Sequence, residues 1–177
     1  MVHEESAEGD SALRCGRLTP ELVERVVEIE RRSFANPWSA VDFCQVLGDS
    51  TALCVGMALQ ETLIGYAIGY LDGADFHLAN LAVDPLYRRR GWGGRLLCTA
   101  LAEARAKQCQ NCSLEVRATN VAAVEFYRKH GFQQVAVRPG YYRKPRENAL
   151  IMRRTIENLR KFTYLKGHWD APIRMAR

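Results

Sequence analysis

The segment 81–94 limits the possible folds of this 177-residue chain more than any other part of it. It holds an apolar β-rich stretch, an Asp-Pro turn, three consecutive arginines and a Gly-Trp-Gly-Gly run. Apolar residues at helical spacing follow between Leu96 and Ala104, so the glycines lie between a strand and the first turn of a helix. Free amides at a helix start, the helix dipole and glycine backbone that a ligand can approach closely attract anions. The segment therefore predicts a site for a phosphate-bearing ligand.

A glycine-rich turn with solvated arginines is the alternative interpretation, and for a bare Gly-x-Gly-Gly motif it is the more common one. Two well-known phosphate loops fit poorly. The segment has no Gly-Lys-Ser/Thr ending, and no acidic residue follows about 20 residues later at the end of a second parallel strand. The pattern thus points away from nucleoside triphosphates and from NAD.

Hydrophobic periodicity predicts a mixed α/β domain built on one central sheet. Helices are expected at 20–34 with Thr19 as N-cap, from Ser39 with Asp42 as its capping partner, at about 92–107, and from Asn120 to Lys129. Strands are expected at 51–59, 63–71 and 75–83 as an antiparallel meander, then at 113–117, 132–138 and 148–154, with another possible at 12–18. Gly131 fits a left-handed helix end, and Pro139-Gly140 is expected to form a turn.

Charge and hydropathy divide the chain into three parts. Residues 1–12 carry four carboxylates and no Lys or Arg, so we expect a disordered acidic N-terminus rather than a signal peptide. Residues 13–153 form the predicted domain, and 154–177 form a basic extension with apolar residues at helical spacing. No apolar run reaches about 18 residues. We therefore expect a soluble cytoplasmic protein without membrane contact.

Six cysteines are present, at positions 15, 44, 54, 98, 109 and 112. Most lie among apolar residues in a chain large enough to fold without disulfides, so buried reduced thiols are expected. Cys109 and Cys112 have zinc-knuckle spacing but lack a second ligand pair, and His77 and His168 lack ligand spacing. We therefore expect no metal.

Arg88, Gly91 and Gly93 resemble the (Gln/Arg)-x-x-Gly-x-(Gly/Ala) signature of the GNAT acyltransferase superfamily, placed after a strand that ends Leu-Ala-Val-Asp-Pro. The resemblance implies a single-domain GNAT fold, with a central mixed, mostly antiparallel sheet flanked by helices. It also implies acetyl-CoA as co-substrate, with its diphosphate on the loop and its pantetheine arm along the preceding strand. The matching positions are Leu81, Ala82, Val83, Arg88, Arg89, Arg90, Gly91, Trp92, Gly93, Gly94 and Asn120.

Further landmarks resemble the RimI family of ribosomal-protein alanine N-acetyltransferases, in that family's order and over residues 13–153. They are the Asn-Pro-Trp-Ser run at 36–39, residues 80–85, residues 114–120, Phe126-Tyr127 with Gly131-Phe132, and Tyr141-Tyr142. The resemblance implies transfer of acetyl to a protein N-terminal amine, with the N-terminal alanine of a small-subunit ribosomal protein as acceptor.

Acetyl transfer to an amine requires a base for the amine and an acid for the departing thiolate. By resemblance, Glu115 is the general base and Tyr127 the general acid; a surface carboxylate and a packing aromatic are the alternatives. Phe34, Trp38, Tyr141 and Tyr142 match the acceptor site, with ordinary aromatic packing as the alternative. No cysteine matches a family nucleophile, which favours direct attack in a ternary complex.

Three departures from the family pattern leave other functions open. They are Trp92 in place of a small aliphatic residue, Asn148 in place of a frequent Asp, and the basic extension. The alternatives are a GNAT enzyme acting on lysine side chains or small amines, and a non-catalytic acyl-CoA-binding module. RNA binding by the extension is a third, although we expect no direct nucleic-acid binding.

Overall fold

The computed structural model describes residues 13–156. Over that range the strands are β1 Leu13–Arg17, β2 Ala52–Leu59, β3 Thr62–Asp72, β4 Asp75–Val83, β5 Asn111–Arg117, β6 Gln133–Arg143 and β7 Arg146–Thr155. The helices are α1 Val23–Ser33, α2 Ala40–Gly48, α3 Trp92–Ala106 and α4 Val121–Lys129, with short 3-10 turns at Pro20–Leu22 and Pro85–Tyr87. The acidic segment 1–12 and residues 157–177 lie outside the described residues, so the predicted domain limits stay predictions.

The seven described strands form one sheet in the order β1-β2-β3-β4-β5-β7-β6. Strands β2 to β4 make the predicted antiparallel meander. Strand β1, given only as possible, pairs antiparallel with β2, and β7 pairs antiparallel with both β5 and β6. Among the strands of residues 13–156, only β4 and β5 are parallel neighbours. The expectation of a mixed, mostly antiparallel sheet is confirmed.

The pairing of β4 with β5 is short. It joins Asp75, Phe76 and His77 to Asn111, Cys112 and Ser113 and goes no further. On its other side β4 stays paired with β3 as far as Val83, while β5 stays paired with β7 as far as Arg117. The two strands therefore separate after His77 and Ser113. This leaves a gap between the remaining residues of β4 and those of β5.

Helices cover both faces of the sheet. On one face α1 and α2 bury Val26, Ile29 and Phe43 against β2 and β3. On the other face α3 and α4 bury Leu97, Leu101 and other apolar side chains against the sheet. The helical spacing of these residues is what the sequence pattern predicted.

Local signals account for the helix ends. The capping box between Ser39 and Asp42 is formed, the Asn120 side chain accepts a hydrogen bond from the Ala123 amide, and Gly131 is left-handed. These three predictions are confirmed. Thr19 precedes a 3-10 turn instead, and its side chain makes no capping hydrogen bond. Thr19 is nevertheless the N-cap residue of this turn, with Pro20 directly after it, so its predicted position is confirmed and only the side-chain hydrogen bond is missing.

The predicted turn at Pro139-Gly140 is also wrong. Strand β6 continues through these residues to Arg143, and the hairpin turns at 144–145. Gly140 is left-handed at a register irregularity between Arg138 and Tyr142. Its amide donates to Asn148 Oδ1 at 3.0 Å. Asn148 therefore stabilises a bulge inside the hairpin.

Candidate active site

A cleft of about 810 Å³ opens where β4 and β5 diverge. Its walls come from both strands, the start of α3, the inner side of α4 and the loop between α1 and α2. The predicted site residues that line it are Phe34, Trp38, Leu81, Ala82, Val83, Arg88, Arg89, Gly91, Trp92, Gly93, Gly94, Glu115, Asn120, Tyr127 and Tyr142. The fold thus brings nearly all of the predicted residues to one surface.

Two predicted residues do not line the cleft. Arg90 is exposed beside the glycine-rich loop. Tyr141 is 45% exposed and lies under the guanidinium of Arg138, 5.1 Å from the ring centre. The Tyr142 ring packs edge-on against the Tyr141 ring, and the Arg117 guanidinium carbon lies 4.0 Å from the centre of the Tyr142 ring. Of the aromatic pair, Tyr142 is the one that faces the cleft.

The glycine-rich loop leaves backbone amides open toward the cleft. Arg89 and Gly91 are both left-handed, with φ of 66° and 82°. Such left-handed residues make concave arrangements of amides. Helix α3 begins without a side-chain cap. Within residues 13–156, no protein group accepts hydrogen bonds from the amides of Trp92, Gly93 and Gly94. This start of a helix fits the diphosphate of coenzyme A.

The Arg88 side chain holds this loop in place. Its Nε donates to the Val83 carbonyl at 2.8 Å, and its Nη2 donates to Ser33 Oγ at 2.8 Å. The guanidinium therefore connects the end of β4 to the end of α1. Arg88 lines the cleft, but its directed hydrogen bonds are made within the protein.

Asp84 holds the segment that precedes the glycine-rich loop. Its fully buried carboxylate accepts from Arg25 at 2.6 Å, from Arg32 at 3.2 Å and from the Leu86 amide at 3.1 Å. Burial by itself would raise the pKa of Asp84, but the Leu86 amide and the two guanidiniums together bring it below its ordinary value. The charged form of Asp84 thus ties α1 to the segment that leads into the glycine-rich loop.

His130 fills the space beside Gly94. Its Nδ1 lies 2.7 Å from the Phe126 carbonyl, and its ring lies 4.4 Å from the Phe126 ring centre. A Cβ on Gly94 would lie 2.7 Å from His130 Nε2. The lack of a side chain at Gly94 therefore allows α4 to pack closely against the start of α3.

Trp92 is half-buried and packs against the core. The guanidinium of Arg95 lies 5.3 Å from the centre of its ring. Its Nε1 is buried and has no acceptor among the residues that the structure describes. The large ring forms part of the cleft wall next to the open amides.

Glu115 projects from β5 on the side opposite to Leu114 and Val116, as strand alternation predicted. Its side chain is 14% exposed. His77 Nε2 lies 3.1 Å from one carboxylate oxygen, and Arg138 Nη1 lies 3.5 Å from the other. A largely buried carboxylate that faces the cleft between two basic groups can accept a proton from an amine.

Tyr127 projects from α4 into the cleft between the rings of Phe126 and Phe132. Burial, with smaller contributions from Cys112 and Tyr142, raises the pKa of its phenol well above the usual value. The hydroxyl therefore keeps its proton at neutral pH. A protonated phenol in the cleft can donate a proton to a leaving group.

The far end of the cleft is organised by Glu30, which the sequence analysis missed. This buried carboxylate accepts from the Trp38 amide at 3.0 Å, from Asn80 Nδ2 at 3.3 Å and from the Tyr66 hydroxyl. It therefore joins the loop that carries Trp38 to β3 and β4. Its place on the apolar face of α1, next to Ile29 and one turn after Val26, was the available signal, because a carboxylate there must find buried partners.

A hydrogen bond connects two walls at this end. Asn36 Nδ2 donates to the Lys144 carbonyl at 2.7 Å, and Arg117 Nη2 reaches the same carbonyl at 3.3 Å. The loop between α1 and α2 is thereby joined to the β6–β7 turn.

No cysteine lines the cleft, so the cysteines do not offer an alternative nucleophile there. All six lie in the described range, and none is in a disulfide. Burial raises the pKa of Cys15 to about 11, and that of Cys54 and Cys112 to about 12. These thiols stay protonated at neutral pH, and protonated thiols are poor nucleophiles.

Two kinds of feature are absent from residues 13–156. Among them, no group of three or more His, Cys, Asp or Glu side chains is arranged to hold a metal ion. None of the helices there has the length and apolar character needed to cross a bilayer.

Known proteins are similar to this chain in sequence. Residues 23–132 match the Acetyltransferase (GNAT) family. A protein of Mycobacterium tuberculosis, N-alpha-acetyltransferase RimI, is 37% identical over 145 residues, which cover 78% of this chain and 90% of the relative. An uncharacterised protein of Mycobacterium leprae is 38% identical over 145 residues, but these cover only 40% of its length.

The fold agrees with these matches. The crystal structure of the ribosomal-protein-S18-alanine N-acetyltransferase from Escherichia coli superposes with a TM-score of 0.76 at 30% identity, covering 86% of this chain and 99% of the other. Together with the sheet, the cleft and the uncapped helix start, these findings show that the chain belongs to the acetyltransferase (GNAT) family and, within it, to the RimI-type N-acetyltransferases.

Proposed function

We propose that this N-acetyltransferase moves an acetyl group from acetyl-CoA to the N-terminal amine of a protein, and that its acceptor is the N-terminal alanine of a small-subunit ribosomal protein. The observation that carries the proposal is that Glu115, Tyr127 and the uncapped start of α3 line a single cleft. The name of the M. tuberculosis relative, N-alpha-acetyltransferase RimI, supports an α-amine as acceptor. The name of the E. coli structure, ribosomal-protein-S18-alanine N-acetyltransferase, supports the alanine of a ribosomal protein. An acceptor of this kind places the reaction in the cytoplasm.

The chain's own groups suffice for the chemistry. Acetyl-CoA brings an activated thioester, which the open amides of Trp92, Gly93 and Gly94 hold by its diphosphate. Glu115 takes the proton that the amine loses as the N–C bond forms. Tyr127 donates a proton to the sulfur as the C–S bond breaks. Because no cysteine lines the cleft, the amine attacks the thioester directly.

Two features support an N-terminal amine over a lysine side chain. An α-amino group has a pKa of about 7.7–8.0, against about 10.4 for lysine, so a single carboxylate deprotonates it more readily at neutral pH. We infer that the Asn36–Lys144 hydrogen bond, which joins the α1–α2 loop to the β6–β7 turn, also restricts access to the acceptor side of the cleft. A free chain end passes such a restriction more easily than a lysine in the middle of a folded surface.

The test is a set of matched acceptors incubated with the purified enzyme and acetyl-CoA. One peptide has a free N-terminal alanine and internal lysines, the second is the same peptide with a blocked N-terminus, and the third is a free polyamine. We expect acetylation of the first peptide alone, at its α-amine, as read by mass spectrometry. Acetylation of only the blocked peptide or the polyamine would contradict the proposal.

The catalytic roles are tested on the same peptide. Glu115→Gln keeps the shape of the side chain but removes the base, and we expect kcat to fall about 10²-fold or more. Gln134 is exposed on the edge strand β6, so Gln134→Ala is the matched control. It is expected to keep the wild-type rate. A Glu115→Gln enzyme with the wild-type rate would show that Glu115 is not the base.

A further inference from the structure

His77 lies where β4 and β5 part, and no step described above uses it. It is the last residue of β4 that pairs with β5, and its partner in register is Ser113. Glu115 follows Ser113 by two positions, so both side chains lie on the same side of β5. The imidazole of His77 therefore lies beside the carboxylate of Glu115.

Both nitrogens of this imidazole have a partner on β5. Nε2 lies 3.1 Å from Glu115 Oε2, and Nδ1 lies 3.4 Å from Ser113 Oγ. A carboxylate oxygen accepts hydrogen bonds, whereas a serine hydroxyl can also donate one. The arrangement therefore favours the tautomer with hydrogen on Nε2, which faces Glu115, and a lone pair on Nδ1, which faces Ser113.

The other oxygen of Glu115 has a looser neighbour. Arg138 Nη1 lies 3.5 Å from Oε1, and the Arg138 side chain is 52% exposed. The His77 side chain is 41% exposed, but its Nε2 lies closer to the carboxylate than Arg138 does, and it comes from β4, the central strand of the sheet. The other groups around this pair are Tyr70, the partner of His77 on β3, and Tyr142, which interacts with Glu115 from β6.

We propose that His77 is a positioning residue for the general base, an inference that rests on the proposed role of Glu115. Its Nε2–H group fixes Oε2 of the carboxylate and thereby turns Oε1 toward the acceptor amine. His77 itself neither gains nor loses a proton: the proton of the amine passes to Oε1 of Glu115. Precise orientation of a base accounts for a large share of its effect on rate.

Two substitutions separate positioning from simple structural support. His77→Ala removes the donor, and we expect kcat to fall about tenfold while KM for acetyl-CoA stays within about twofold. His77→Gln restores an N–H donor near Oε2, and we expect it to recover most of the lost kcat. Asp75→Asn is the matched control on the same strand, because it breaks an ion pair with Arg153 and does not contact Glu115. A wild-type kcat in His77→Ala, or no recovery in His77→Gln, would overturn the proposal.

A measurement that needs no acceptor keeps this inference separate from the proposed function. In the ¹⁵N-histidine NMR spectrum of the full chain, the signals lost in His77→Gln identify His77. We expect the Nε2–H tautomer and a change of both nitrogen shifts in Glu115→Gln. A Nδ1–H tautomer, or shifts that ignore Glu115→Gln, would contradict the positioning role. Failure of the wild-type enzyme to acetylate any α-amine would instead contradict the proposed function.

Discussion

At Gly94, a methyl group would lie 2.7 Å from Nε2 of His130, well inside normal contact distance. The imidazole cannot easily withdraw, because Nδ1 is held by the Phe126 carbonyl at 2.7 Å and the ring packs on Phe126. The first turn of α3 and the last turn of α4 therefore depend on one another. The sequence motif points to Gly94 for its closeness to a ligand, whereas the structure adds a neighbouring helix as a second reason.

This dependence predicts a specific pattern of stability. Gly94→Ala is expected to lower the free energy of unfolding by about 1–3 kcal/mol through overpacking. The double variant Gly94→Ala/His130→Ala is expected to lose less than the sum of the two single variants, because the clashing ring is gone. Urea unfolding of all four proteins measures this coupling. Additive losses would show that the two residues do not compete for space.

The raised pKa of Tyr127 predicts how kcat depends on pH in the alkaline range. Its raised pKa means that the phenol keeps its proton beyond the ordinary tyrosine value of about 10. Loss of the acid should therefore cause no fall in kcat up to about pH 10. Tyr127→Phe, which keeps the ring packing, is expected to lower kcat about 10²-fold across this range. If the kcat of the wild-type enzyme fell between pH 8 and 9.5 and the kcat of Tyr127→Phe did not, the raised pKa of Tyr127 would be contradicted.

Among the elements, the turn after β4 depends on the buried charge of Asp84. Asp84→Asn leaves Arg25 and Arg32 without their shared carboxylate, and we expect a loss of about 3–5 kcal/mol of stability at pH 7. Because the folded-state pKa of Asp84 is lowered, the charged form stabilises the fold above about pH 4 and this contribution is lost as the pH falls further. Urea unfolding at pH 7 and at pH 3 should therefore show a smaller difference between the two proteins at pH 3. An equal difference at both pH values would contradict this account.

The contact between the α1–α2 loop and the β6–β7 turn predicts acceptor selectivity. Asn36→Ala removes the 2.7 Å hydrogen bond to the Lys144 carbonyl. We expect KM for the acceptor peptide to rise severalfold, with KM for acetyl-CoA unchanged, because only the acceptor side of the cleft is loosened. Steady-state kinetics with each substrate varied in turn measures this split. Equal increases in both KM values would mean that the contact supports the whole cleft rather than the acceptor side.

The elements themselves were largely predictable, because their signals are local. The capping box at Ser39, the cap at Asn120 and the left-handed Gly131 depend on neighbours within a few residues. The hairpin turn was not predictable in this way. Pro139-Gly140 and Lys144-Pro145 both resemble turns, and the choice between them depends on the pairing of β6 with β7 and on the contact of Gly140 with Asn148.

At the scale of the whole molecule, the site depends on strand order. Strand β7 lies between β5 and β6, and β4 leaves β5 after three paired residues. This order brings Glu115, His77 and Arg138 together from three strands that are distant in sequence. The sequence motif identified Glu115, but His77 and Arg138 carry no local signal for this contact. Family resemblance pointed to Glu115, and the structure adds the side chains that contact it.

The identity of the acceptor can be tested most directly in cells that make this protein. Mass spectrometry of the N-terminal peptides of small-subunit ribosomal proteins is compared between wild-type cells, cells lacking the gene, and cells carrying Glu115→Gln. The account predicts one N-terminal alanine that is acetylated in wild-type cells and free in the other two. N-terminal acetylation of these proteins that is unchanged in all three strains would contradict it.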